Sequence, residues 1–360
     1  MRCSDLRVRL LAVVSATTLA ATAVAACGSD STPDTGAQSD SGGAANGDAR
    51  GDAFASGDGA GGDGTTDSSV ADTSATDSGG DERPPSIRRP FLVGSSLRSA
   101  RSQARDDWSA ARLREDEAFT LDAGIGGELA KAWLTDGLEE HASIAAFARF
   151  TMMLLSVAAP PELVAASQRA SLDEITHARD CFALARRYGA RDAGPGALDV
   201  HDSLGPMSLA DLAALTAEEG CVGETLGAAL AGEQLAVAVD PEVRRVLARI
   251  VRDEARHAEL AWRFIAWAVG EEQRGALGAA GVTAAVAAAA AHAIAATRAM
   301  EIRPAVSDVA AWHAHGRLTC AEAREASERA IVDVVGPCLE ALGLRSQQPP
   351  ARRDGLSPAA

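Results

Sequence analysis

The sequence predicts an all-α protein: four long helices in a bundle, further helices at the C-terminal end, and a long unfolded tether in front. Three observations carry this expectation. Beyond about residue 90, alanine, leucine, arginine and glutamate dominate and β-branched runs are absent. Pro160-Pro161, the link GPGALDVHDSLGP, Asp240-Pro241 and Pro304 cut that stretch into helix-sized pieces. The kernel Asp-Glu-x-x-His-Ala occurs twice, in SLDEITHARD (171–180) and VRDEARHAEL (251–260), 80 residues apart in a chain with 7 histidines.

The elements follow in order. Arg2, Arg7 and Arg9 precede the apolar run LLAVVSATTLAATAVAA, which ends in small residues before Cys27. That pattern predicts a secretory signal over residues 1–26. The run is short and weakly apolar for the alternative, an uncleaved anchor of ~20 apolar residues. Val24-Ala25-Ala26-Cys27 resembles a bacterial lipobox, which implies that Cys27 is lipidated and tethers the mature chain to a membrane of the cell envelope. Gly28 after that cysteine implies, by the same resemblance, the outer membrane rather than the inner. Residues 28–82 hold eleven Asp, one Glu and one Arg among Gly, Ser, Thr and Ala, about −11 of the formal net charge of −16. Such a segment has too little to bury to offset its chain entropy, so 27–89 is expected to be a disordered tether. The acidity therefore describes the tether and not what the folded part binds. Without a basic stripe and interleaved aromatics, nucleic acid is not an expected partner.

Residues 90–346 are long enough for one domain, and 347–360 form a short tail. The first helix is expected from about Gly127 to Ala158, and the second from Pro161 to Tyr188. Ser208-x-x-Asp211 starts a third that reaches about Gly232. Asp240-Pro241 opens a fourth that ends near Gly270. An Ala-rich helix over about 276–302, interrupted by His292 and Arg298, is expected to pack and not to span a membrane. A last helix starts near Thr319.

Residues three apart on a helix lie about 60° round and ~4.5 Å along from each other. Glu174 and His177 therefore share a face, as do Glu254 and His257. The stripe Leu163, Ser167, Ala170, Glu174, His177, Cys181, Leu184 is otherwise apolar or small, and so is Val243, Leu247, Ile250, Glu254, His257, Ala261, Phe264. Both acid and imidazole are thus expected to face the core. Glu139-Glu140 lies 34 residues before Asp173-Glu174, and Glu218-Glu219 lies 35 before Asp253-Glu254, an internal repeat of two helical hairpins. Apolar neighbours select Glu140 and Glu219 as the inward members. Glu224, five residues beyond Glu219 and about 140° round an α-helix, is expected as a partner behind the ligands or a solvated residue, with direct ligation as the alternative.

Four buried carboxylates would carry a large desolvation penalty and repel one another. Two divalent cations neutralise them, and oxygen with imidazole donors suits iron, or manganese as the alternative. EHASIAAFARF, LDEITHA, EEGCVGETL and RDEARHAELAWRF, over about residues 125–270, resemble the ferritin-like, rubrerythrin-related di-iron superfamily. The resemblance implies a ferritin-like four-helix bundle with Glu140, Glu174, His177, Glu219, Glu254 and His257 as ligands to two iron ions. It also implies an oxidoreductase acting with dioxygen or peroxide. Rubrerythrins carry an additional four-cysteine iron domain; no paired CxxC is present here, so an electron donor would be external. Metal storage and a structural envelope lipoprotein are the competing expectations.

Overall fold

A computed structural model describes residues 89–109, 123–299 and 308–344. The signal segment, Cys27, the tether up to residue 88 and the tail lie outside the described residues. The described part is mainly helical, but it begins with extended chain. Strand β1 (Leu92–Val93) pairs antiparallel with β2 (Ser96–Leu97), and β3 (Ser102–Ala104) with β4 (Ala193–Pro195), Gln103 opposite Gly194. These short strands lie in stretches for which no element was expected, and the described part is consistent with the all-α class. The segment 89–104 carries no apolar stripe of helical period and runs along the bundle as a strap.

Helix α1 (Ala123–Ser156) is about 50 Å long and ends ahead of Ala158, which takes the left-handed φ of 52° before Pro160-Pro161. Pro161 opens α2 (Pro161–Arg187) at a position whose N–H would have no helical partner. Glu162 in its first turn and Arg186 and Arg187 in its last complement the helix dipole. A reciprocal cap between Ser208 and Asp211 starts α3 (Leu209–Thr216). The chain then widens into a π-helical segment, Ala217–Glu224, and returns to α geometry in α4 (Thr225–Val237). One continuous α-helix was the expectation here, and the π segment corrects it. Asp240 Oδ1 accepts from the amides of Glu242 and Val243 and caps α5 (Pro241–Gln273).

Gly281, at φ 84°, precedes the Ala-rich α6 (Val282–Arg298), shorter than the expected span. Its Val282, Val286, Ala290 and Ala293 are buried, and it packs on α3 and the π segment. Short helix α7 (Val309–Ala314) has no counterpart in the sequence expectations. It is followed by α8 (Cys320–Ala330), a second π segment (Ile331–Val335) and α9 (Gly336–Ala341). Among the described residues no helix is long and apolar enough to cross a membrane. Among the described residues no disulfide joins Cys181, Cys221, Cys320 or Cys338.

Helix α1 packs along α2, α2 on α5, and α5 on both the π segment and α4. The core has two principal apolar clusters. One gathers Phe147, Phe150, Leu154, Val222 and Phe264; the other gathers Leu129, Trp133, Leu184, Leu247 and Ile250. In α1, Glu140 falls between Trp133 and Phe147, and in α5 Glu254 and His257 fall between Ile250 and Phe264. The packing therefore places a charged layer between two apolar ones.

Candidate metal centre

Four helical runs bring carboxylates and imidazoles to this layer: Glu140 from α1, Glu174 and His177 from α2, Glu224 from the π segment, and Glu254 and His257 from α5. All six are at most 2% exposed. They form two overlapping groups, Glu140, Glu174, His177, Glu254 and Glu174, Glu224, Glu254, His257, with the donor atoms of each group within 4.8 Å of one another. Glu174 and Glu254 belong to both. Each of them sends one oxygen toward each imidazole. Glu174 Oε2 lies 3.7 Å from His177 Nδ1 and Oε1 lies 3.0 Å from His257 Nδ1; Glu254 Oε1 lies 3.6 Å from His177 Nδ1 and Oε2 lies 3.8 Å from His257 Nδ1. None of the oxygens of Glu174 or Glu224, and neither Nδ1, is in hydrogen-bond geometry. Buried donors converging in this way fit a cation better than they fit one another.

The outer nitrogens are held in a crossed pattern. His177 Nε2 lies 3.2 Å from Asp253 Oδ2, and His257 Nε2 lies 3.3 Å from Asp173 Oδ2. Each kernel's Asp thus orients the imidazole of the other kernel, placing the proton on Nε2 and leaving the Nδ1 lone pair for a metal. Arg256 contacts both acids, at 3.0 Å from Asp173 and 2.9 Å from Asp253. Burial would raise Asp253, but His177, Arg252 and Arg256 hold it down at about 2. Asp173 and Asp253 occupy the same place in both kernels, but the sequence pattern assigns them no role. Asp173→Asn and Asp253→Asn should each weaken metal affinity about 10- to 100-fold while two ions still bind at saturation. Competition titration against a chelator of known affinity measures this; unchanged affinity would remove the orienting role.

Glu219 corrects the expected ligand set. It is fully buried, as its apolar neighbours implied, but it joins neither group. Its Oε1 accepts from Arg149 Nη2 at 2.5 Å and from the Leu92 amide at 3.2 Å, and Oε2 lies 3.8 Å from Arg89 Nε. Glu224 takes the position facing α5. The cause is the π segment: with i→i+5 bonding, residues five apart lie nearly above one another rather than ~140° apart. Glu219 and Glu224 therefore share the inward side one turn apart, and only Glu224 is level with Glu254. Gly220 is required by close packing, since a Cβ there would lie 2.6 Å from Ala261 Cβ.

Without a metal, protons compensate the cluster. Burial would lower His177, but Asp253, Glu174 and Glu254 outweigh it and raise its pKa to about 9. His257 is raised likewise by Asp173, Glu174 and Glu254 against its burial. Burial, and then the Glu254 charge, push Glu224 well up. His177 therefore contributes stability to the metal-free protein that is fully present below pH 6.5 and is lost as pH rises through about 9. Metal affinity rises over the same window, because the metal replaces those protons. The increase in melting temperature caused by metal should widen from pH 6.5 to 9, and loading near pH 7 should release protons. Calorimetry in buffers of different ionisation enthalpy measures the release; none detected would contradict the protonated metal-free cluster.

Comparison of the chain with protein-family models, curated proteins and solved structures gives no match.

Proposed function

We propose that the chain is a ferritin-like four-helix protein that binds two metal ions, iron or alternatively manganese, and acts as an oxidoreductase with dioxygen or hydrogen peroxide. One observation supports this above the others: two equivalent donor groups share Glu174 and Glu254, with one oxygen of each shared acid toward each imidazole. Glu140, Glu174, His177 and Glu254 would hold one ion, and Glu174, Glu224, Glu254 and His257 the other. Four carboxylates balance the charge of two divalent ions, and two neutral imidazoles complete the set. Bound iron would supply reversible electron transfer, with oxygen-rich ligands favouring the oxidised state.

The chain's own residues account for the surroundings. Asp173 and Asp253 hold the imidazole tautomers. Phe147, packed edge-on to His257 at 5.0 Å between ring centres, and the apolar clusters on either side exclude bulk water. Without paired CxxC motifs, a reductant would come from outside the chain.

Protein loaded anaerobically with ferrous iron to two ions per chain should oxidise within seconds on mixing with dioxygen or hydrogen peroxide, seen as rising near-ultraviolet absorbance. Chemical reduction should reverse the change through repeated cycles, without uptake beyond two ions. Continued uptake into a mineral would favour storage, and iron inert to both oxidants would leave a structural site.

A further inference from the structure

The geometry points to residues 89–93 as a strap that gates metal exchange, with the Arg89 side chain as its plug. The inference rests on the metal-binding reading. The strap crosses from α1 to the π segment. Ser143 Oγ donates to the Arg89 carbonyl at 2.8 Å, Arg149 donates to the Leu92 carbonyl, and the Leu92 amide donates to Glu219 at 3.2 Å. Between these ties the Arg89 guanidinium lies over two rings, 4.5 Å from the centre of Phe147 and 4.8 Å from that of Phe150. Phe147 in turn packs against His257. On the other side, Arg89 Nη1 is 3.2 Å from where a Cβ on Gly220 would stand. Arg89 therefore fills the gap between α1 and the π segment, one aromatic ring away from a candidate ligand.

Two features mark this as the flank that opens. Arg89 is 2% exposed, and although its Nε faces Glu219 Oε2 at 3.8 Å, a pairing that opening would give up, neither Nε nor Nη1 is in hydrogen-bond geometry. A buried guanidinium left partly unsatisfied regains those bonds in water, so release offsets part of its own cost. The strap also has little structure of its own. Its strands are two residues each, and residues 94–97 are exposed. The ligand-bearing helices are instead held by the apolar clusters on both sides of the charged layer. Lifting the strap unburies Arg89 and Phe91, which packs on Ala142 and Ala146 with the Arg149 guanidinium 4.9 Å from its ring centre. Parting the helices would break both large apolar clusters, so local opening begins with the smaller loss, at the strap. Lifting it uncovers Phe147 and the Gly220 turn, beside the group that contains Glu224 and His257.

The test uses the full chain loaded anaerobically with ferrous iron and challenged with an excess of a chromogenic ferrous chelator. Arg89→Ala should bind two ions as the unaltered protein does, and release them about tenfold faster, the factor that corresponds to ~1.4 kcal/mol. Ser143→Ala, which removes a single tie to the strap, should accelerate release in the same direction by less and covers the case in which Arg89→Ala does not fold. Release at the unaltered rate in a folded variant that still holds two ions overturns the gate and leaves the metal reading intact. Failure of the unaltered chain to bind ferrous iron overturns the metal reading, and the gate with it.

Discussion

Replacing Glu174 by alanine should remove both metal ions, not one. Its two oxygens face different imidazoles, and it belongs to both donor groups. Without it each group keeps three donors, and the remaining charges of Glu140, Glu224 and Glu254 no longer match two divalent ions. Glu140→Ala, which alters one group, should leave about one ion per chain. Glu139→Ala, outside the inward stripe, should retain both. Metal per chain after dialysis, measured by elemental analysis against protein concentration, separates these outcomes. One ion retained by Glu174→Ala would show that this carboxylate is not shared.

The second large effect separates two acids one turn apart in the π segment. Glu219→Gln should keep two ions but lose stability by ~3–5 kcal/mol, because it leaves Arg149 and Arg89 buried without their counter-charge. Glu224→Gln should do the reverse. It should lose about one ion, while the metal-free protein stays as stable or gains, since an acid whose charged form is disfavoured by burial and by Glu254 is replaced by a neutral amide. Urea unfolding of both variants with and without metal measures the pair of effects. Metal loss in Glu219→Gln with full occupancy in Glu224→Gln would return the ligand role to Glu219.

These two acids also mark where the sequence stops being informative. Apolar stripes of helical period were enough to bury Glu140, Glu174, His177, Glu254 and His257, because α1, α2 and α5 are regular through the site and angular arithmetic holds along them. The third run failed for the opposite reason. An angle counted at 100° per residue is wrong once the chain widens at Ala217–Glu224, and EEGCVGE carries no residue that announces a π turn. The spacing argument failed with it: Glu140 precedes Glu174 by 34 residues, whereas Glu224 precedes Glu254 by 30. Asp173 and Asp253 were visible in the repeated kernel, but their crossed pairing is a tertiary fact that depends on how α2 lies on α5. The strap was invisible for a related reason. Arg89, Phe91 and Leu92 follow an acidic, Gly-rich segment, and only docking against Phe147 and Glu219 gives them structure.

The central claim is that two metal ions sit in two overlapping donor groups. Anomalous diffraction from crystals of metal-loaded protein, collected at the absorption edge of the bound metal, tests it most directly. The account predicts two peaks, one among Glu140, Glu174, His177 and Glu254 and the other among Glu174, Glu224, Glu254 and His257. A single peak, a peak on Glu219, or a fully loaded protein with no peak between α2 and α5 would contradict it.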